Sequence, residues 1–200
     1  MDLQPENVLA FWFGLPGSAA EIAGRQRKLW FGKTPENDLA VTERFAATLR
    51  AAAAGKLDHW ANTSRGRLAL VIVLDQFPHH IHRDQLQAFA TDSQALALSL
   101  AALAAAEDRQ LAPIERVFLY LPLEHAESID MQDQSVSLYE KLAREAGADE
   151  RALFDDFLDY ARKHRDVVVR FGRFPHRNEI LGRPSTPDEL EFLKQPGSRF

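Results

Sequence analysis

The 200-residue chain is 46% hydrophobic, enough to bury one sizeable core, so a single domain over residues 1–200 is expected. Its 29 acidic against 24 basic side chains leave a formal charge of −5. This balance excludes the broad basic face of a nucleic-acid or anionic-membrane binder and leaves room only for a local anion site. The absence of cysteine removes disulfides, thiolate nucleophiles and zinc–thiolate or iron–sulfur centres, so His, Asp and Glu must do any acid–base work.

From the amino terminus onward the signals are helical. Met1 to Glu6 is acidic, and no short apolar stretch with a small-residue cleavage site follows it, so a cytoplasmic protein is expected. Thr34-Pro35-Glu36 opens a helix whose Val41, Phe45 and Leu49 recur every four residues and share one face until Gly55. Leu68 to Leu74 is apolar on all sides; capped by Ser64 and with no strand to pair with, it reads as a central buried helix. Pro78 disfavours the α conformation in Phe77, which marks a helix exit there. Thr91-Asp92-Ser93-Gln94 has the form of a capping box opening a helix to about Ala106. The uncharged stretch within it, Ser93 to Ala106, has 14 residues, short of the roughly 20 needed to cross a bilayer.

Pro113 suits the first position of a helix carrying Val117, Phe118 and Leu121, which Pro122 should break or kink. Asp149 or Glu150 opens a long helix reaching Phe171, with Gly172 as its stop. Phe174-Pro175 echoes Phe77-Pro78 as a second exit, and the two Phe are expected as plugs at adjacent helix ends. Thr186-Pro187-Asp188-Glu189 is the clearest capping box and starts a short last helix. The whole reads as all-α, with about eight helices.

Three segments put polar groups where apolar ones belong. Asp75 lies on the stripe of Leu68, Val71 and Ile72, so its carboxylate should be at least half buried and in need of partners. Glu124, His125 and Glu127 follow Pro122. His164 shares a helix face with Leu153, Phe157, Val168 and Phe171, which places an imidazole on the core stripe. Between Arg170 and Arg183 the chain then places Arg170, Arg173, His176, Arg177 and Arg183 in fourteen residues with one Glu, a local charge of +3 in an acidic protein. Guanidinium forks grip carboxylates and phosphates bidentately, so that run is the natural place for a small anion. The His79-His80-x-His82 and Glu124-His125-x-Glu127 clusters lack the spacing of a zinc helix, and there is no phosphate-binding glycine loop or serine-nucleophile elbow, so no metal and no cofactor are expected.

The residues Val8-Leu9-Ala10-Phe11-Trp12-Phe13-Gly14, Leu74-Asp75-Gln76-Phe77-Pro78, Leu121-Pro122-Leu123-Glu124-His125 and Arg170-Phe171-Gly172-Arg173-Phe174-Pro175-His176-Arg177-Asn178 resemble the bacterial family known as domain of unknown function 924. The likeness runs in order from Val8 to Phe200. It implies an all-helical, tetratricopeptide-like array of stacked antiparallel helices with no established activity. Two positions depart from the family pattern: His79-His80 stands where the family typically has Arg-Asn, and Ala126 where it often has Ser.

Three functions fit these residues. The first is a helical binding domain in which Arg170, Arg173, His176, Arg177 and Arg183, with Asp75, Glu124 and His125, line a cleft for a small anion or peptide carboxylate. The second is an acid–base enzyme using His125 or His164, oriented by Glu124 or Asp75. The third is an internal salt-bridge lattice with no ligand.

Overall fold

The computed structural model describes residues 3–199; Met1, Asp2 and Phe200, the extremities of the acidic amino terminus and of the family likeness, lie outside them. Among the described residues the fold is all-helical. In chain order the helices are α1 (Pro5–Phe13), α2 (Ala19–Phe31), α3 (Pro35–Ala53), α4 (Ser64–Val71), α5 (Phe77–Ile81), α6 (Asp92–Ala104), α7 (Pro113–Glu124), α8 (Ile129–Glu145), α9 (Arg151–Phe171) and α10 (Pro187–Phe192). No helix among the described residues is long and apolar enough to cross a membrane.

Short connections make α7, α8 and α9 successively antiparallel. Between α7 and α8, Tyr139 donates its hydroxyl to the Val117 carbonyl (2.9 Å) and Gln132 its amide to the Glu124 carbonyl (2.6 Å), so partner numbers run in opposite directions. Between α8 and α9 the same sense is given by Arg165 with Asp133 and Arg162 with Glu140.

The central position goes to α4, as its all-round apolarity requires: Leu68 to Val73 are essentially inaccessible. Its first turn also needs a glycine, because a Cβ at Gly66 would stand 2.1 Å from the Trp60 carbonyl oxygen. Thr63 rather than Ser64 is the cap, accepting from the Gly66 amide. Trp12, Phe13, Trp30 and Phe118 pack edge to face over this centre, and Trp30 Nε1 donates to the Trp12 carbonyl at 2.8 Å.

Pro78 does not end the helix. A π turn at Ile72–Gln76 joins α4 to α5 as one rod, and the chain stays helical to Ile81. Pro78 has no N–H to offer Leu74, four residues earlier; Thr91 Oγ1 donates to the Leu74 carbonyl at 2.6 Å instead. Thr91 therefore caps a carbonyl on a neighbouring helix, and the capping box expected at Thr91 does not form. Pro122 likewise lies inside α7, which runs on to Glu124 with His125 as its C-cap. Tertiary packing overrides both prolines.

Gly172, in the left-handed conformation at φ 69°, ends α9. Beyond it the chain forms a 3-10 turn at Pro175–Arg177 and the capped helix α10. The two Phe of the Phe-Pro motifs plug different clusters, while the residues after them, His79 and Arg177, meet on the ring of Phe89. Phe77 belongs to the main core with Phe11, Trp12 and Phe45, whereas Phe174 joins Val167 and Val168, with Phe171 and Phe192 against them, in a small separate cluster.

Candidate functional site

The helices enclose a cavity of about 1370 Å³ bounded by α2, α5, α7, α9 and the segment after Gly172. His79, His80, Glu124, His125, His164, His176 and Arg177 line it, and Trp30, Phe31, Phe157 and Tyr160 form an aromatic wall.

The π turn sets the deepest group. It inserts one residue into the helix, which rotates Asp75 and Gln76 relative to the apolar run before them. Asp75 is 0% exposed yet paired on both oxygens: His125 Nδ1 lies 2.9 Å from Oδ1, and Gln76 Nε2 donates to Oδ2 at 2.5 Å. Burial disfavours the carboxylate, but the charge and hydrogen bond of His125 outweigh it and hold Asp75 below the ordinary value. Burial works equally against the imidazolium, and Asp75 outweighs it to raise His125 above the ordinary value. With Nδ1 committed to Asp75, the ring's other nitrogen, Nε2, is the one left to accept or deliver a proton.

A second carboxylate–imidazole pair stands next to the first. His164 Nδ1 lies 3.0 Å from Glu124 Oε1 and 2.9 Å from the Tyr160 carbonyl oxygen one turn back. The His125 and His164 ring centres are 6.3 Å apart. Burial and neighbouring positive charge push His79 and His176 down to about 3, so both are neutral near pH 7. Behind the lining residues His80 and Arg83, Asp38 accepts from His80 Nδ1 at 3.0 Å and bidentately from Arg83 at 2.5 and 2.6 Å.

Arg177 is the unusual cation. It is 7% exposed, with its guanidinium 4.7 Å from the Phe174 ring centre and 4.9 Å from that of Phe89. Its one hydrogen bond to a side chain is a long contact of 3.4 Å from Nη1 to Asp92 Oδ2, and its buried Nε has no partner among the described residues. Burial lowers the Arg177 pKa. Burial and the charge of Asp75 raise Asp92 to about 6 against the pull of Arg177, and Glu127 and Asp75 add their charges to that of Asp92 around the guanidinium.

The other arginines of the run are spent on the scaffold. Arg173 grips Glu189 with Nε at 2.6 Å and Nη2 at 2.8 Å, and also donates to the Pro184 carbonyl. Arg183 does the same to Glu127 at 2.6 and 2.9 Å, and reaches the Phe174 carbonyl and Asn178 Oδ1. Arg170 lies over Phe171 and Phe192. None of these three lines the cavity, whereas His176 and Arg177 do. Of the acid–base candidates, Glu124, His125 and His164 line it and Asp75 stands directly behind His125. Glu127 is turned away, holding Arg183 and the Phe174 amide.

Sequence reasoning missed Gln76, Phe89 and Asp92. Asp92 was hidden in a capping pattern and Phe89 in a connection; only the unusual polarity of Gln76 beside Asp75 was a usable signal. Among the described residues no group of three or more His, Asp or Glu is placed to hold a metal ion.

The sequence from residue 8 to residue 197 matches a family model described as bacterial protein of unknown function, DUF924. The chain belongs to that family. The DUF924 fold is also seen in a solved structure, that of the protein of unknown function ATU0120 from Agrobacterium tumefaciens. It is 35% identical, with a TM-score of 0.80 over 95% of this chain and 96% of that one. No curated protein matches the sequence. Family membership therefore accounts for the architecture of this DUF924 chain, and any activity has to be argued from its cavity.

Proposed function

We propose that this DUF924 chain binds a small anionic molecule at Arg177 and transfers a proton on it at His125. The observation that carries the reading is the under-paired guanidinium. A cation so far removed from water is costly unless charge and hydrogen bonds compensate it; Asp92, Glu127 and Asp75 supply charge, but one long contact of 3.4 Å and an Nε with no partner among the described residues leave the hydrogen bonds wanting. A carboxylate or phosphate entering the cavity supplies them, because the guanidinium fork matches either group. Arg173, Arg183 and Arg83 have complete bidentate partners and form a structural lattice; Arg177 differs from them in kind.

The proton-transfer part rests on the Asp75–His125 pair. A buried carboxylate fixing Nδ1 orients the ring and supports its charged form, the arrangement that general acid–base catalysis requires. Neutral His79 and His176 add polarity beside it without adding charge.

Calorimetric titration and thermal shift at pH 7 with a panel of phosphates and carboxylates test this reading. Saturation at about 100 times the dissociation constant raises stability by about 2.7 kcal/mol. Arg177→Met keeps the bulk between Phe89 and Phe174 without the charge and is expected to abolish the shift. His125→Asn keeps a donor at the Nδ1 position for Asp75 while removing Nε2; it is expected to bind as before and to lose turnover of any member that is consumed. Binding by no member of the panel, or equal binding by folded Arg177→Met, overturns the proposal.

A further inference from the structure

Resting on that reading, we infer that the anion is the head of an elongated aromatic molecule rather than a free phosphate or short carboxylate. The cavity is too large for a small anion: about 1370 Å³ exceeds the roughly 300–1,000 Å³ of most ligand pockets. Its length can be read along α9. Phe157, Tyr160, His164 and Val167 all line it and recur every three or four residues, so one face of the helix runs along the cavity. Seven residues separate Phe157 from His164, about 10 Å of helix rise. The Asp75–His125 and Glu124–His164 pairs and Arg177 stand at the His164 end, and the aromatic wall, flanked by the Arg27–Asp156 ion pair, stands at the Phe157 end.

That wall is unusual for a surface facing water. Phe31 and Tyr160 are each 45% exposed, although Phe31 stands against other aromatic rings that could have covered it. Phe31 packs at 6.1 Å on Trp30 and 6.3 Å on Phe157, ring centre to ring centre. Lys163 lies 5.0 Å from the Tyr160 ring centre. A helical protein gains by burying such rings, so a wall left open inside a walled cavity, in line with an under-paired arginine, is shaped for a ligand with matching chemistry. Aromatic edges and faces favour another aromatic ring over an aliphatic chain. The two ends together specify the substrate class: an arylalkyl carboxylate or an aryl phosphate ester with its charge at Arg177 and its ring at Phe31, Phe157 and Tyr160.

Calorimetry with two matched series tests this, acetate against 4-phenylbutyrate and inorganic phosphate against 1-naphthyl phosphate. At least one aromatic member is expected to bind about ten- to a hundredfold tighter than its parent anion, the gain from burying a ring. Phe157 is buried and unsuitable for substitution, so the wall is probed at the half-exposed Tyr160 and Phe31. In the Phe31→Ala/Tyr160→Ala variant the preference is expected to fall at least fivefold while acetate and phosphate affinities hold. Parent anions that bind as tightly as the aromatic ones, or a preference unchanged in the double variant, overturn the aromatic assignment and leave the anion site standing. No binding in either series, or binding indifferent to Arg177→Met, overturns the anion site with it.

Discussion

Removing the hydroxyl of Thr91 isolates a contact made to the π turn. Thr91→Val keeps the side-chain shape and deletes the donor to the Leu74 carbonyl, a contact of 2.6 Å between two buried residues. Depriving a buried carbonyl of its partner costs about 1–3 kcal/mol. For a domain of this size each kcal/mol moves the melting temperature by about 2–4 °C, so a mid-range loss of about 2 kcal/mol lowers Tm by roughly 4–8 °C. The structure makes a sharper claim about why the hydroxyl is needed: Pro78 has no N–H to supply. Pro78→Ala restores that donor, so in its background Thr91→Val should cost less than about 1 kcal/mol, a coupling measured by a double-mutant cycle. Urea denaturation followed by circular dichroism gives the four stabilities. Equal losses in the two backgrounds, or no loss in either, would refute the account of how Asp75 is positioned.

Arg173→Gln should lower the melting temperature measurably by leaving Glu189 short of its bidentate partner. Anion binding should be unchanged, and a calorimetric loss of affinity in this variant would mean that Arg173 belongs to the site after all. Acid should destabilise the fold through His79 and His176, which fall from the ordinary 6.5 to about 3. Because the unfolded chain takes the proton first, their contribution is whole above pH ~6.5 and drains away as pH falls toward about 3, by up to ~2 kcal/mol each at pH 5. Asp75, depressed in the fold, works in the same direction at lower pH. Melting curves at pH 7.5 and 5.0 should therefore converge in a His79→Asn/His176→Asn variant, and an unchanged pH difference would contradict the assignment.

The fold was legible where local chemistry and periodicity agree. Thr34-Pro35, Pro113, Gly172 and the Thr186–Glu189 box stand at helix boundaries, and the apolar run at Leu68–Leu74 is the buried centre. Prolines misled, because the rule for an isolated helix ignores what a neighbour can supply: Thr91 serves the carbonyl that Pro78 cannot, and Pro122 is carried inside a packed α7. Within the basic run, composition could announce cations but could not say which were already paired. That depends on Glu127 and Glu189, which come from different parts of the chain. Arg177 differs from Arg173 only in what folding places around it. The Asp75–His125 pair was half legible, since burial of Asp75 follows from its stripe, but its partner lies fifty residues away.

The small apolar cluster around Phe174 gives the two halves of the cavity unequal local stabilities. Asp75, His125 and His164 stand on helices rooted in the main core, so their backbone amides exchange with solvent only when much of the molecule unfolds. Arg177 and His176 ride on a segment held by Val167, Val168, Phe171, Phe192 and a few ion pairs, which can part from the body at far lower cost. The Asp75–His125 and Glu124–His164 pairs are thus rooted in the main core, while Arg177, the proposed anion holder, is carried by a segment with a small apolar cluster of its own. A ligand bridging the two acts as a strut between regions of different rigidity, and its presence should register first as slowed hydrogen exchange after Gly172.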